Sequence, residues 1–282
     1  MTTDTSTSKT WATRHWSRWR ETSVLASLFG TSWRRLHSPT LFLWGRALQP
    51  SPKHWPETSR ELSWRVSPSL IEVWRSALKR NTTWMSRTDL GAGQRRTGKK
   101  KDTVQVAELA KRSLTPESDV LAICRWLKCL KPEGSFLELG TSLGVTSAYV
   151  ASVGWRVETW EGCEETLRIA REGWNHLGLD GVISAKRGSF QSLLADLSSA
   201  TRWDVVYLDG CHKGDVTMDL VDALEKHVET ALIVDDIAWS EDMHRAWLEL
   251  QERPAWRVAF SWKGRGMLVK AKHMSPERLR LA

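Results

Sequence analysis

From about residue 103 onward, short apolar runs alternate with amphipathic stretches. The runs are Phe136–Leu139, Trp155–Trp160, Val182–Lys186, Asp204–Leu208 and Ala231–Val234. Between them lie Val145–Val153, Cys163–Leu177, Phe190–Leu197 and Val216–His227, which read as helices. This order predicts an α/β fold, with five parallel strands and helices on both faces of the sheet. Ser240–Gln251 reads as a further helix. Trp256–Phe260 and Gly266–Val269 read as strands joined by Ser261–Arg265. That connection is too short for a crossover helix, so the two must pair antiparallel as a terminal hairpin. Seven strands are expected in all.

Upstream, Val104–Leu114 and Glu117–Leu130 read as helices. Residues 38–48 open with Ser38 as an N-cap and Pro39 in the first turn. In residues 69–80, Leu70, Val73, Trp74 and Leu78 fall at helical spacing. Pro50, Pro52 and Pro56 mark a loop, and residues 88–101 read as a basic, glycine-rich one. Gly91-x-Gly93 within it is a weak nucleotide signal, because no strand precedes it and the third glycine is missing. The expected organisation is a mainly helical N-terminal extension or cap (1–102), a catalytic domain (103–272) and a C-terminal tail (273–282). Residues 1–10 are Ser/Thr-rich and expected to be disordered.

Composition changes this picture in one respect. Residues 1–100 hold 18 Lys and Arg against 6 Asp and Glu, whereas residues 101–282 hold 23 against 27. The basic character therefore belongs to the extension. Residues 11–20 (WATRHWSRWR) concentrate it beside Trp16 and Trp19. That segment either docks its Trp face on the body of the protein or contacts a membrane surface or nucleic acid, and a targeting role stays open. The 18 Trp are spread evenly along the chain, as expected of core and interface fillers. No apolar run approaches the roughly 20 residues that span a bilayer, and no signal peptide is visible. The four Cys have no zinc-like spacing, so free thiols and a cytoplasmic location are expected.

The chemistry centres on ELGTSLG, Glu138 to Gly144. Within it, G-T-S-L-G has the letters of a hydrolase nucleophile elbow. Partners exist on paper in Asp235 or Asp236 and His244 or His273. However, the preceding strand is the first of the alternating region, and no oxyanion loop lies upstream. A dinucleotide loop is disfavoured too, since the spacing that seats a pyrophosphate is absent. A cofactor with adenosine and ribose but no phosphate fits better. Acids close four expected strands, at Glu138, Glu161, Asp209 and Asp235-Asp236. Ligands of open parallel sheets bind beyond such strand ends.

The run FLELGTSLGVTSAYVAS…WEGCEETLRIA…VVYLDGCHKGD…LIVDDIAWSEDM resembles class I S-adenosylmethionine (SAM)-dependent methyltransferases of the small-molecule O-methyltransferase type. LHSPTLFLWGRAL, DLGAGQRR and VQVAELAKRSL resemble the N-terminal extension of a bacterial subgroup of that family. The resemblance implies a Rossmann-like fold and an enzyme that methylates a hydroxyl of a small molecule. It assigns Glu138, Gly140, Thr141, Ser142 and Gly144 to the methionine part of SAM, Glu161 to its ribose, and Gly188, Ser189 and Phe190 to the adenine. Asp209 joins that cofactor set. The extension would cap the crevice and shape the acceptor pocket, with His37 as a guess for an acceptor contact.

Asp209, Asp235 and Asp236 also match the positions that hold Mg²⁺ in cation-dependent members. Mg²⁺ takes hard oxygen ligands and could fix an acceptor hydroxyl. The alternative is that Asp235 caps a helix or orders a loop without metal. His212 and Lys213 are candidate general bases beside Asp209. Two rival functions remain at this point: an RNA methyltransferase gripping phosphates with the basic extension, and a non-catalytic SAM-binding scaffold. A homodimer is a further open expectation.

Overall fold

The computed structural model describes residues 38–49, 62–88 and 101–281. The Trp-rich segment 11–20, His37, the proline loop and the Gly91-x-Gly93 loop lie outside them. Two helices come first, α1 (Pro39–Ala47) and α2 (Pro68–Leu78). Both start as serine chemistry dictates: Ser38 accepts from the Leu41 N–H and Ser67 from the Leu70 N–H, each with Pro in the first turn. A hairpin follows, β1 (Trp84–Thr88) with β2 (Lys101–Gln105), then α3 (Val106–Ser113) and α4 (Glu117–Leu130).

The central unit then alternates: β3 (Ser135–Leu139), α5 (Val145–Ser152), β4 (Arg156–Glu161), α6 (Glu164–His176), β5 (Ile183–Arg187), α7 (Phe190–Ala195), β6 (Trp203–Leu208), α8 (Gly214–Leu224), β7 (Val228–Val234) and α9 (Glu241–Gln251). The chain ends in β8 (Val258–Trp262), β9 (Arg265–Val269) and β10 (Glu277–Leu281). The main sheet runs β10-β8-β9-β7-β6-β3-β4-β5. β3 to β7 are parallel, while β9 is antiparallel to both β7 and β8. The chain builds outward from β3 through β4 to β5, then returns to the other side of β3 with β6. Strand order therefore reverses between β3 and β6, where open α/β sheets place their ligands.

Alternation along each strand divides the core into two layers. Phe136, Tyr207, Ile233 and Met267 face the layer filled by the N-terminal helices, α5 and α6. Leu137, Val206, Leu232 and Leu268 face the layer filled by α8 and α9.

Three details differ from the sequence reading. Val104 and Gln105 belong to β2 rather than to the helix expected from 104. The segment 273–282 is not only a tail, because β10 within it pairs parallel to β8 as an eighth strand. The terminal hairpin turns on Lys263 and Gly264 alone, with φ of 46° and 80°. Two positive φ values in a two-residue loop match the twist of the flanking strands. Arg265 is thereby placed in β9, on the side of the sheet shared with Met267.

The tryptophans act largely as fillers. Trp126 of α4 is fully buried, edge-on to Trp44 of α1 (6.3 Å) and Phe260 of β8 (6.0 Å). It couples the first helix to the sheet. The four cysteines are unbridged. Among the described residues no helix is long and apolar enough to cross a membrane. Trp126→Ala should cost about 3–5 kcal/mol, the usual range for emptying a buried aromatic site. Urea unfolding followed by circular dichroism checks this, and a change under about 1 kcal/mol would show that α1 is not anchored there.

Candidate active site

A cavity of about 610 Å³ opens where the strand order reverses, a size suited to a small ligand. Its walls come from the turns after β3, β4, β5, β6 and β7, and from the N-terminal elements β1 to α3.

Glycine chemistry shapes the floor. Gly140 has φ 105°, and a Cβ there would lie 2.6 Å from the Asp209 carbonyl oxygen and from the Gly210 Cα. The Asp209 N–H donates to the Leu139 carbonyl at 2.9 Å. The turns after β3 and β6 are thus in direct backbone contact, which only a residue without a side chain permits. Gly144 has φ 75°, and a Cβ there would meet Trp174 and Ala170 of α6. The Trp174 Nε1–H donates to the Gly144 carbonyl at 2.8 Å, fastening the end of the loop to α6. Ser142, between them, is held at φ 48°. Its Oγ donates to Ser113 Oγ at 2.9 Å, not to a histidine. That arrangement gives a hydrolase nucleophile no base.

Glu161 joins two turns. Its carboxylate accepts from the Ser142 N–H (2.8 Å) and from the Cys163 N–H (2.9 Å). Burial raises its pKa, while these backbone donors pull it down. It lines the cavity together with Gly188, Ser189 and Phe190. Phe190 packs so closely on Gly210 that a Cβ at 210 would fall 2.4 Å from its ring.

Three residues expected at the cofactor lie outside the cavity lining: Gly144, which packs on α6, and Glu138 and Thr141, which lie behind the loop. Glu138 is fully enclosed, accepting from Ser147 Oγ and from Thr159 Oγ1 (2.8 Å). Thr141 is buried too, its hydroxyl 2.6 Å from that of Thr159. Neither lines the cavity; they clamp β3, β4 and α5 beneath it. Lys213 is exposed and also outside the lining.

The far end carries the remaining acids and His212. Burial raises the pKa of Asp209 well above the carboxylate range, with Asp235 and Glu138 adding repulsion. Asp235 accepts from the Tyr207 hydroxyl and the Asp236 N–H (2.8 Å), and its Oδ1 lies 3.4 Å from the Arg265 Nε. Asp236 has φ 52°, and its Oδ2 sits 3.8 Å from His212 Nε2. His212 packs on the Trp239 ring, with centroids 5.4 Å apart. Its Nδ1 is buried and has no hydrogen-bond partner among the described residues.

Magnesium does not fit the aspartates in this arrangement. The Asp-Asp pair is split, Asp235 facing Arg265 and Asp236 facing His212. Among the described residues no group of three or more His, Cys, Asp or Glu is placed to hold a metal. An ion bound to Asp235 Oδ1 at roughly 2.1 Å could be no further than about 5.5 Å from the Arg265 Nε. With an effective dielectric of 20, a double charge there is repelled by about 6 kcal/mol. Arg265 is itself well seated: burial alone would lower its pKa, but Tyr207 and Asp235 outweigh that and raise it.

The sequence reading missed four contributors. Arg265 had been read into a turn. Trp239, Ser113 and Arg87 were not singled out as site residues, and Arg87 comes from the extension that was expected to cap the crevice.

Burial pushes the Glu138 carboxyl up to about 7, against the pull of its Ser147 and Thr159 hydrogen bonds. Its folded pKa lies above its unfolded one, so its protonated form stabilises the fold. That contribution is complete below about pH 4.5 and lost as pH rises to about 7. Glu138→Gln should therefore gain stability relative to the unmodified protein across that window, by at most about 3 kcal/mol. Chemical denaturation at pH 5 and pH 8 tests the sign, and a difference that does not change with pH would contradict it.

Comparison with known proteins agrees with this geometry. Residues 137–237 match a family model described as a methyltransferase domain. The fold is similar to that of the S-adenosylhomocysteine-bound Podospora anserina methyltransferase PaMTH1 (TM-score 0.54, 12% identity, 78% of this chain and 98% of that one). It is similar as well to cofactor-bound Rv0187 from MTB (TM-score 0.52, 16% identity, 79% and 99%). A third is a proposed caffeoyl-CoA O-methyltransferase from Staphylococcus aureus (TM-score 0.52, 13% identity, 58% and 88%). No curated protein sequence matches the chain. With its sheet order, its glycine-floored crevice and the matched segment 137–237, the chain carries a methyltransferase domain on the class I, Rossmann-like fold.

Proposed function

We propose that the protein transfers a methyl group from SAM to a hydroxyl of a small molecule. The observation that carries this reading is that Ser142, Glu161, Phe190, Asp209 and His212 line one cavity at the switch point of the sheet. Gly140 and Gly210 floor it, and a Cβ at either would collide with the backbone of the neighbouring turn or the Phe190 ring, so only glycine lets these turns close up beneath a ligand. In this reading Glu161 takes the ribose hydroxyls, Gly188 to Phe190 flank the adenine, and the turn from Gly140 to Gly144 follows the methionine part. Burial and the neighbouring acids raise the Asp209 pKa, and a cationic ligand beside it would favour its charged form. Bound there, SAM would supply an electrophilic sulfonium methyl for in-line displacement.

His212 is the base. It lines the cavity, and Asp236 beside Nε2 and Trp239 against the ring hold the imidazole where it can take the acceptor's proton. Lys213, pointing to solvent, is left without that role. Four unbridged thiols accord with a cytoplasmic location.

S-Adenosylhomocysteine should bind the protein in calorimetry, and folded Gly140→Arg should not bind it. His212→Ala should keep that affinity while lowering kcat about 10²–10⁴-fold on a hydroxylated small acceptor. Undiminished turnover in His212→Ala would remove the base assignment. Transfer only to RNA, with steep salt dependence, would replace the small-molecule acceptor by a nucleic acid.

A further inference from the structure

The buried charges at the closed end of the cavity form one assembly. Arg265 is almost wholly enclosed and lies on the cavity wall. Its Nη1 is 3.3 Å from Asp119 Oδ2 on α4, and its Nε is 3.4 Å from Asp235 Oδ1 at the end of β7. The same Nε lies 3.5 Å from the Tyr207 hydroxyl on β6. Asp119 has a second cation, with Lys263 Nζ at 2.6 Å from Oδ1. The guanidinium is thus tied at two of its nitrogens to three separate elements, and it cannot swing away to admit another cation.

A carboxylate cluster at the closed end of a pocket needs a positive charge. Either a bound ion or a side chain can supply it. Here the side chain comes from the β8–β9 hairpin. The tight turn at Lys263 and Gly264 sets Arg265 opposite Trp262, next to the Asp235 that follows β7.

We propose that Arg265 is a built-in cation that stands in for a divalent ion in this pocket. It balances Asp235 from within the fold, so methyl transfer at this site proceeds without a divalent metal. Removing its charge leaves Asp235 and the neighbouring Asp209, which line the same cavity, as a two-carboxylate site open to a divalent cation that keeps waters in its remaining positions. The statement about turnover rests on the methyltransferase reading; the statement about cation binding does not.

The test is titration with Mn²⁺ alone, read by calorimetry and by electron paramagnetic resonance, on the unmodified protein and three variants. The unmodified protein and Arg265→Lys should show no saturable site. Arg265→Met should gain one site, at least about tenfold tighter than any residual binding, and adding Asp235→Asn should abolish it. A single saturable site in the unmodified protein that Asp235→Asn removes would overturn the proposal. So would a folded Arg265→Met that takes up no Mn²⁺. Should Arg265→Met fail to fold, Arg265→Gln replaces it, with the same gain of a site expected and a folded Arg265→Gln that takes up no Mn²⁺ overturning the proposal. S-Adenosylhomocysteine binding in the same samples separates the two readings: its loss in the unmodified protein sinks the methyltransferase assignment and leaves the Mn²⁺ result standing.

Discussion

A methyl group on Gly140 would sit 2.6 Å from the Asp209 carbonyl oxygen, and the candidate site depends on that approach. It draws the turns after β3 and β6 together at the place where the sheet reverses its strand order. Once they touch, the turn from Gly140 to Gly144 must bend away over α6, and Trp174 pins its end. Ser142 is then presented to Glu161, at the end of the neighbouring strand. Each step follows from a backbone contact that no larger residue would allow. The cavity is a consequence of how two loops pack, before any ligand is considered.

The face of the sheet below this contact is unusually polar for a buried layer. Glu138, Tyr207, Asp235 and Arg265 occupy one face of adjacent strand ends. They are satisfied in two groups. Burial raises the Glu138 pKa to about 7, and Ser147 and Thr159 hold the carboxyl. Asp235 and Tyr207 are balanced by Arg265, which Asp119 anchors from α4. Buried polar groups of this kind are costly when half-paired and restrictive when fully paired. Here they hold the acids at the pocket's edge in one arrangement, with Asp235 turned inward and Asp236 outward to His212.

Much of this was legible in the chain. Apolar runs of strand length between amphipathic stretches revealed the parallel sheet, because β3, β4, β6 and β7 are covered on both sides. The acids at the strand ends marked the crevice. The β1–β2 hairpin was not legible: WMSRT and KDTVQ lack a buried run, and Val104 continues the helical pattern of α3. β10 was missed because ERLRL sits at the sheet's edge, with no apolar run of its own. Glu138 and Thr141 were placed at the ligand because spacing along a turn does not reveal which residues point beneath it. Arg265 was the most consequential omission. Gly264 suits a two-residue turn, but Lys263 is not a residue that usually takes the positive φ of its first position, so the sequence did not reveal that Arg265 belongs to β9, two residues before the core residue Met267 and beside the aspartates.

The central claim is that the crevice between β3 and β6 is a SAM site gripped by Glu161 and the turn from Gly140 to Gly144. A crystal structure with S-adenosylhomocysteine tests it most directly. The account predicts the ribose hydroxyls on the Glu161 carboxylate, the adenine beside Phe190 and the amino acid end over Gly140. A ligand bound outside this crevice, or bound within it with no contact to Glu161, would contradict it.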